Sequence, residues 1–326
     1  MFLGKSSRKG LLTHLFALLV LITLNFVLPR SMPGDPLQAL GEEALLCMSE
    51  ETKAELIRRM ALDQPLSAQF VSYWVNLLQG DLGYSYAYQA PVSAVIGGAL
   101  PWTLALTGVS LLLSFSIGLL AGIYSGWRRG HPVDRGLSLA MVALSGLPNY
   151  FIGVLLLLLF AVQLGWFPLS GAVTAYAGWT GLRWLGDVIA HMILPVVALT
   201  LATLPEFYLL TRSAMVNILD APFMRTARAK GVGPWRLQFR HGGRNALLPS
   251  VARLGVLAGK ALTGALFVEM VFAYPGLGHV IHQGLLSRDY PLVQGLFFIV
   301  ACLVITCNLL ADKLLQKLDP RVNDAY

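Results

Sequence analysis

Charge is what this chain has least of. Asp, Glu, Lys and Arg make up only 13% of its 326 residues, against roughly 25% in an ordinary soluble domain. That excludes a water-soluble globular surface over most of the length. Cysteine is nearly absent as well. Cys47 lies in a polar region, and Cys302 and Cys307 share one apolar run, so neither a disulfide framework nor metal-type spacing is present. The chain has no G-x-x-x-x-G-K-[ST] phosphate loop, which excludes P-loop nucleotide hydrolysis by this polypeptide. It also lacks an H-E-x-x-H motif, and its apolar runs hold no Ser-His-Asp set and no paired aspartates. His14 and His191 fall near the ends of such runs. The usual constellations of a membrane-embedded hydrolase are therefore missing, and no catalytic residue is assigned. Low-complexity tracts and short internal repeats are likewise absent.

What is abundant is apolar sequence, 56% of the residues, with a mean hydropathy of +0.65. A helix needs roughly 20 apolar residues to cross a bilayer, and six stretches qualify: 11–28, 101–124, 137–163, 191–211, 246–272 and 291–310. The first is longer than the apolar core of a signal peptide and lacks an A-x-A-like cleavage site, so it is expected to be a retained anchor. With the N-terminus in the cytoplasm, the inner segments collect Lys5, Arg8, Lys9, Arg128, Arg129, Arg135, the six cations of residues 222–249, Lys313, Lys317 and Arg321. The outer segments hold only Arg30, Lys53, Arg58, Arg59, Arg183 and Arg288. This asymmetry places both termini inside. It also accounts for most of the net charge of +7 without a nucleic-acid partner.

The sequence thus predicts an all-α integral membrane protein with six transmembrane helices. Residues 1–28 form a cytoplasmic N-terminus and first helix, and 29–100 an extracytoplasmic region. Residues 101–318 form a core of five helices with a basic cytoplasmic loop at about 213–249, and 319–326 a cytoplasmic tail. Within the outer region, "SEETKAELIRRMALDQP" is expected to be a helix. Ser49 caps it, Glu50 and Glu51 suit its first turn, Arg58 and Arg59 suit its last, and Pro65 stops it. The segment "QGDLGYSYAYQAPVSAVIGGALP" is turn-rich and leads into the second span.

The basic loop "PFMRTARAKGVGPWRLQFRHGGRNALLP" carries six cations, Arg225, Arg228, Lys230, Arg236, Arg240 and Arg244, and no acid. Asp220 is the expected N-cap of a short helix over 221–230, with Pro222 in its first turn. Phe223 and Ala227 share a face, with Met224 beside them. Arg228 and Lys230 suit the last turn, and Gly231 a left-handed end. Gly233-Pro234 starts a second short element, and Pro249 is expected in the first turn of the fifth span. Two uses remain open from the residues alone: attraction to anionic headgroups, or docking of the Phe223–Met224–Ala227 face into a groove of a partner.

These residues resemble the cytoplasmic EAA loop of permeases in bacterial ABC importers, most closely those of the dipeptide/oligopeptide/nickel family. The likeness extends in order through "MPGDP", "LDQPL", "GDLGYS", "PVSAVIGGALPWTLAL", "FVEMVFAYPGLG", "RDYPLVQG" and "LDPRV". Registered on Gly231, the Glu-Ala-Ala positions are Arg225, Thr226 and Ala227; the Glu is missing, as in the peptide/nickel branch. The resemblance implies a type I ABC importer-like transmembrane domain in the bacterial inner membrane. It implies that Arg225, Thr226, Ala227, Arg228, Ala229, Lys230 and Gly231 form the coupling helix that sits on a separate ATPase. It also implies two ABC ATPase subunits, a second homologous permease, and an extracytoplasmic solute-binding protein. ATP and Mg would be used by those partners, with no cofactor bound by this chain. The substrate would be a peptide, nickel or a related small solute. The alternative is an ATPase-independent secondary transporter, which needs no such loop.

Ionisable residues within apolar spans mark pathways or pairs. Glu206 and Arg253 are matched in depth, which predicts an ion pair between them. Lys260, seven residues beyond Arg253 and on nearly the same face, has no evident partner and is expected either to snorkel or to line a pathway and favour an anionic group such as a peptide carboxylate. Glu269 is expected to tie down an outer loop. His279 and His282 give at most two ligands, so no metal site is assigned. Gly118–Gly122 and Gly255–Gly259 have the spacing of close helix contacts.

Overall fold

The computed structural model describes Phe16, residues 19–27, Arg30 and residues 63–318. Residues 19–27 are helical, but residues 11–15, 17, 18 and 28 of the first expected span, Cys47, residues 49–62 of the helix expected before Pro65 and the tail 319–326 lie outside the described residues. The described elements are α1 (Leu66–Leu78), β1 (Tyr84–Ser85), β2 (Ala90–Pro91), α2 (Val92–Trp127), α3 (Pro132–Ser145) and α4 (Asn149–Leu156). After α4 come α5 (Gly181–Leu219), α6 (Pro222–Ala229), α7 (Arg244–Ala252), α8 (Leu254–Val271), α9 (Leu277–Leu286) and α10 (Tyr290–Leu318). Two wide π-type turns, Leu157–Gln163 and Arg236–Gly243, continue α4 and lead into α7.

Four of these helices are long and apolar enough to cross a membrane: α2, α5, α8 and Tyr290–Ala311 of α10. A fifth span is available if α3 and the stretch Asn149–Gln163 count as one, although they are bent by 102°. The expected single helix over 137–163 is therefore broken, at Gly146-Leu147-Pro148. Pro148 lacks an N–H and disfavours helical geometry in Leu147 before it, and it serves as the N-cap of α4. The fifth expected span is divided too, into α7 and α8 meeting at Arg253. Pro249 sits inside α7, not in its first turn, so the carbonyl four residues earlier lacks its helical donor.

The chain forms two compact units. One comprises residues 1–102 and 276–303, the other 103–275 and 304–326. In the first, β1 and β2 make a short antiparallel hairpin with Tyr84 opposite Pro91 and Ser85 opposite Ala90. Asp289 anchors it. Its Oδ2 accepts from the Ser85 hydroxyl at 2.7 Å and from the Ala87 N–H at 3.0 Å, and its Oδ1 accepts from the Leu292 N–H at 3.2 Å, capping α10. The motifs "GDLGYS" and "RDYPLVQG" are thus two halves of one hydrogen-bonded joint. Beside it, Arg30 donates to Gln69 at 3.0 Å and lies over the Phe26 ring at 3.8 Å, on the wall of a cavity of about 210 Å³.

The second unit is built on close helix approach. A Cβ added to Gly118, Gly122 or Gly126 of α2 would lie 2.7, 2.8 or 2.8 Å from the Cβ of Phe207, Thr211 or Met215 of α5. The four-residue spacing on both helices makes three successive rungs. Gly255 meets Ala311, and Gly259 meets Val304, in the same manner. Both expected G-x-x-x-G pairs are contact surfaces between helices.

Candidate functional site

The basic loop is ordered. Helix α6 begins at Pro222, but Ala221 is its N-cap, without a side-chain hydrogen bond, and Asp220 closes α5 instead. Gly231 takes φ +74° with no atom near the position a Cβ would occupy, as its place at the helix end requires. The chain then turns through Val232 and Gly233 into the π-type segment.

One expectation is reversed by the packing. Met224 and Ala227, which pair with Phe223 as a candidate docking face, are buried. Together with Leu237 they form an apolar seam against Trp127, Ile218, Leu219 and Val232. An eight-residue helix with few hydrogen bonds of its own is not stable alone, so its apolar edge is used to fix it to its own chain. The solvent face consists of Phe223, Arg225, Thr226, Arg228, Ala229, Lys230 and Gly231. Trp235 extends it, 72% exposed and packed on Phe239 with ring centroids 4.2 Å apart. Arg228 lies 5.8 Å from the Trp127 ring centre. The surface offered outward is therefore cationic and aromatic.

Within the spans, Glu206 pairs with Lys260 and not with Arg253. Arg253 occupies the α7–α8 junction and is exposed. Depth matching in the sequence did not distinguish the two cations. Lys260 thus has the partner that the sequence left unnamed. Glu269 and Tyr274 are fully buried. Burial, with Glu269 nearby, pushes the Tyr274 phenol up to about 12.

A larger polar network is absent from the sequence-based expectations. Asp134, in the first turn of α3, receives a bidentate pair from Arg212 of α5, at 2.6 Å from Nε and 2.7 Å from the second nitrogen. The Ser125 hydroxyl donates to the same carboxylate at 2.5 Å, and the Gly130 N–H at 3.0 Å. Ser125 also meets the Tyr208 hydroxyl at 2.6 Å, and Ser138 meets it at 3.1 Å. Asp134 is 1% exposed. The network joins α2, α3 and α5 next to the loop's seam at Trp127 and Ile218. Its signal in the sequence was a lone acid among the cations Arg128, Arg129 and Arg135. Burial, and then His282, lowers the pKa of His279. Among the described residues no group of three or more His, Cys, Asp or Glu is placed to hold a metal.

Several apolar helices of membrane length, with an ordered basic loop fixed to their ends, define a polytopic helical membrane protein. A solved chain of the MetNI methionine ABC transporter, in an inward-facing conformation, has this fold. The TM-score is 0.56 at 19% identity, over 70% of this chain and 97% of that one. Residues 118–324 match the family described as binding-protein-dependent transport system inner membrane component, and the chain belongs to that family. It is 35% identical to the di/tripeptide transport system permease protein DppB of Pseudomonas aeruginosa, over 97% of each chain. It is 34% identical to the oligopeptide transport system permease protein AppB of Bacillus subtilis, over 94% of this chain and 95% of the relative. It is 37% identical to the glutathione transport system permease protein GsiC of Pectobacterium atrosepticum, over 96% and 97%. The chain is a multi-pass inner-membrane transport component.

Proposed function

We propose that this chain is one permease subunit of an ATP-driven importer of peptides. It forms half of the translocation pathway, with six spans and both termini in the cytoplasm. A second homologous permease forms the other half. Two ABC ATPase subunits use ATP and Mg, and an extracytoplasmic binding protein delivers the solute. Peptides are favoured over nickel because the similar permeases are named for di- and tripeptides, oligopeptides and glutathione.

The observation that carries the coupling role is the two-sided character of α6. Its inner edge is fixed to α5 and the π-type segment through Met224, Ala227 and Leu237. Its outer face, Arg225, Thr226, Arg228, Ala229, Lys230 and Gly231, is exposed for a partner. A short helix so fastened moves with the long helix before it. ATP-driven closure of the ATPases therefore displaces the spans, and alternating access follows. Contact with anionic lipid would need only the charge, not the fastening.

The test is gentle extraction of the tagged chain from its native membrane, followed by identification of what accompanies it and vesicle uptake with and without ATP. An ATPase pair, a second permease and ATP-dependent peptide uptake are expected. Recovery of the chain alone, with uptake driven by an ion gradient, would replace this reading with a secondary transporter.

A further inference from the structure

Helix α8 carries an exposed stripe at Val256, Lys260, Thr263 and Phe267, spaced four, three and four residues apart, so they lie on one face. Its other side is buried through Leu257, Ala258, Ala261, Leu262, Ala265 and Val268. Lys260 is 65% exposed and its partner Glu206, on α5, 32% exposed. Lys260 stands six residues into α8, about 9 Å from its start. A cation, its carboxylate and a threonine on the open face of a membrane-length helix cannot face hydrocarbon without a large penalty. The pair also leaves most of its hydrogen-bonding capacity unused, since an ammonium has three donors and a carboxylate about four acceptor sites.

The same unit shows what a structural ion pair looks like in this protein. Asp134 is buried and takes four hydrogen bonds, two of them from Arg212. Among the described residues Glu206 and Lys260 pair with each other, Lys260 exposed and Glu206 partly so. A pair this open differs from the buried Asp134–Arg212 fastening of α3 to α5.

We infer that the Glu206–Lys260 face of α5 and α8 lines a water-filled substrate pathway, and that the two opposite charges keep this wall neutral. Peptides with acidic, neutral or basic side chains then pass with similar ease. The peptide part rests on the function proposed above; the water-lined, charge-balanced wall does not.

The experiment uses the whole importer in membranes, with Cys47, Cys302 and Cys307 replaced by Ser. Thr263→Cys and Val256→Cys, which leave the pair intact, are exposed to water-soluble cationic and anionic thiosulfonates. Leu112→Cys, on an apolar exposed stretch of α2, is the control and stays inert. Both stripe thiols are expected to react. Added to Thr263→Cys, Lys260→Met raises the cationic-to-anionic rate ratio roughly threefold, as one uncompensated charge nearby in water requires. Glu206→Gln lowers the ratio by a similar factor, and the double variant restores it. Competition between Lys-Ala and Glu-Ala dipeptides for uptake shifts the same way. Inert stripe thiols would overturn the pathway, because protein or lipid would then cover the face. Reactive thiols with an unmoved ratio would overturn the charge balance. Reciprocal shifts in a complex that takes up no peptide would uphold the wall and remove peptides as its cargo.

Discussion

At Gly231 a single φ angle decides whether the loop can leave α6. The residue sits at φ +74° in open space, so Gly231→Val meets no clash and suffers only backbone strain. For a β-branched residue that strain is about 1–2 kcal/mol, enough to tilt the end of a helix fixed by three side chains. The expected outcome is normal membrane insertion with ATP hydrolysis no longer tied to uptake, read as the ratio of the two rates. Ala227→Asp is expected to act through a different route, placing a carboxylate in the seam with Met224 and Leu237, and to give the same loss of coupling. Normal uptake in both variants would remove the coupling role. At Asp134 the accounting is electrostatic. Arg212→Met leaves a carboxylate that is 1% exposed without its cation, a change of about 3 kcal/mol or more. Thermal unfolding in detergent should fall markedly, and Asp134→Asn added to it should restore part of the loss. How far such residues were legible is uneven. Gly231 was, because a glycine just past a helix with cations in its last turn has one common use. The Asp134 network was not, because its partners come from α2, α3 and α5, far apart in the chain.

Among the elements, the α2–α5 contact carries the sharpest test. Its three glycine rungs leave no room for a side chain, whereas Gly108 on the same helix has no neighbour within 4 Å. Gly122→Leu is expected to separate the helices and abolish recovery of folded protein, measured by resistance to limited proteolysis. Gly108→Ala is expected to be tolerated, or slightly stabilising, since Ala exceeds Gly in helix propensity by about 1 kcal/mol. Equal tolerance of both would show that the contact is dispensable. The sequence announced this contact through its G-x-x-x-G spacing but gave no partner for it. It missed the helix breaks at residues 146–148 and at Arg253 for a related reason. Composition reports how much of a stretch is apolar, not whether its axis runs straight, and both breaks sit inside apolar runs. The inner edge of α6 was misassigned because an apolar edge on a short helix fits a partner's groove and its own chain equally well. Only the packing of Leu237 and Trp127 against it decides.

For the molecule as a whole, the charge asymmetry predicts a definite topology. In spheroplasts, with Cys47, Cys302 and Cys307 replaced by Ser, Tyr176→Cys, at a fully exposed position, should react with an impermeant thiol reagent added outside. Arg225→Cys should react only after permeabilisation. The reverse pattern would invert the protein in the membrane. The likeness to the MetNI chain uses 97% of that chain but only 70% of this one, whereas the peptide permeases match nearly end to end. The additional length is therefore shared with the peptide permeases. The seam under α6 also separates two kinds of inheritance. Met224, Ala227 and Leu237 answer to residues of their own polypeptide, Trp127, Ile218, Leu219 and Val232, so the loop keeps its fold only where those partners travel with it. Arg225, Thr226, Arg228, Ala229 and Lys230 are exposed and, on the function proposed above, face a separate ATPase. Exchanging those five alone should readdress the permease to a foreign motor, leaving its scaffold untouched.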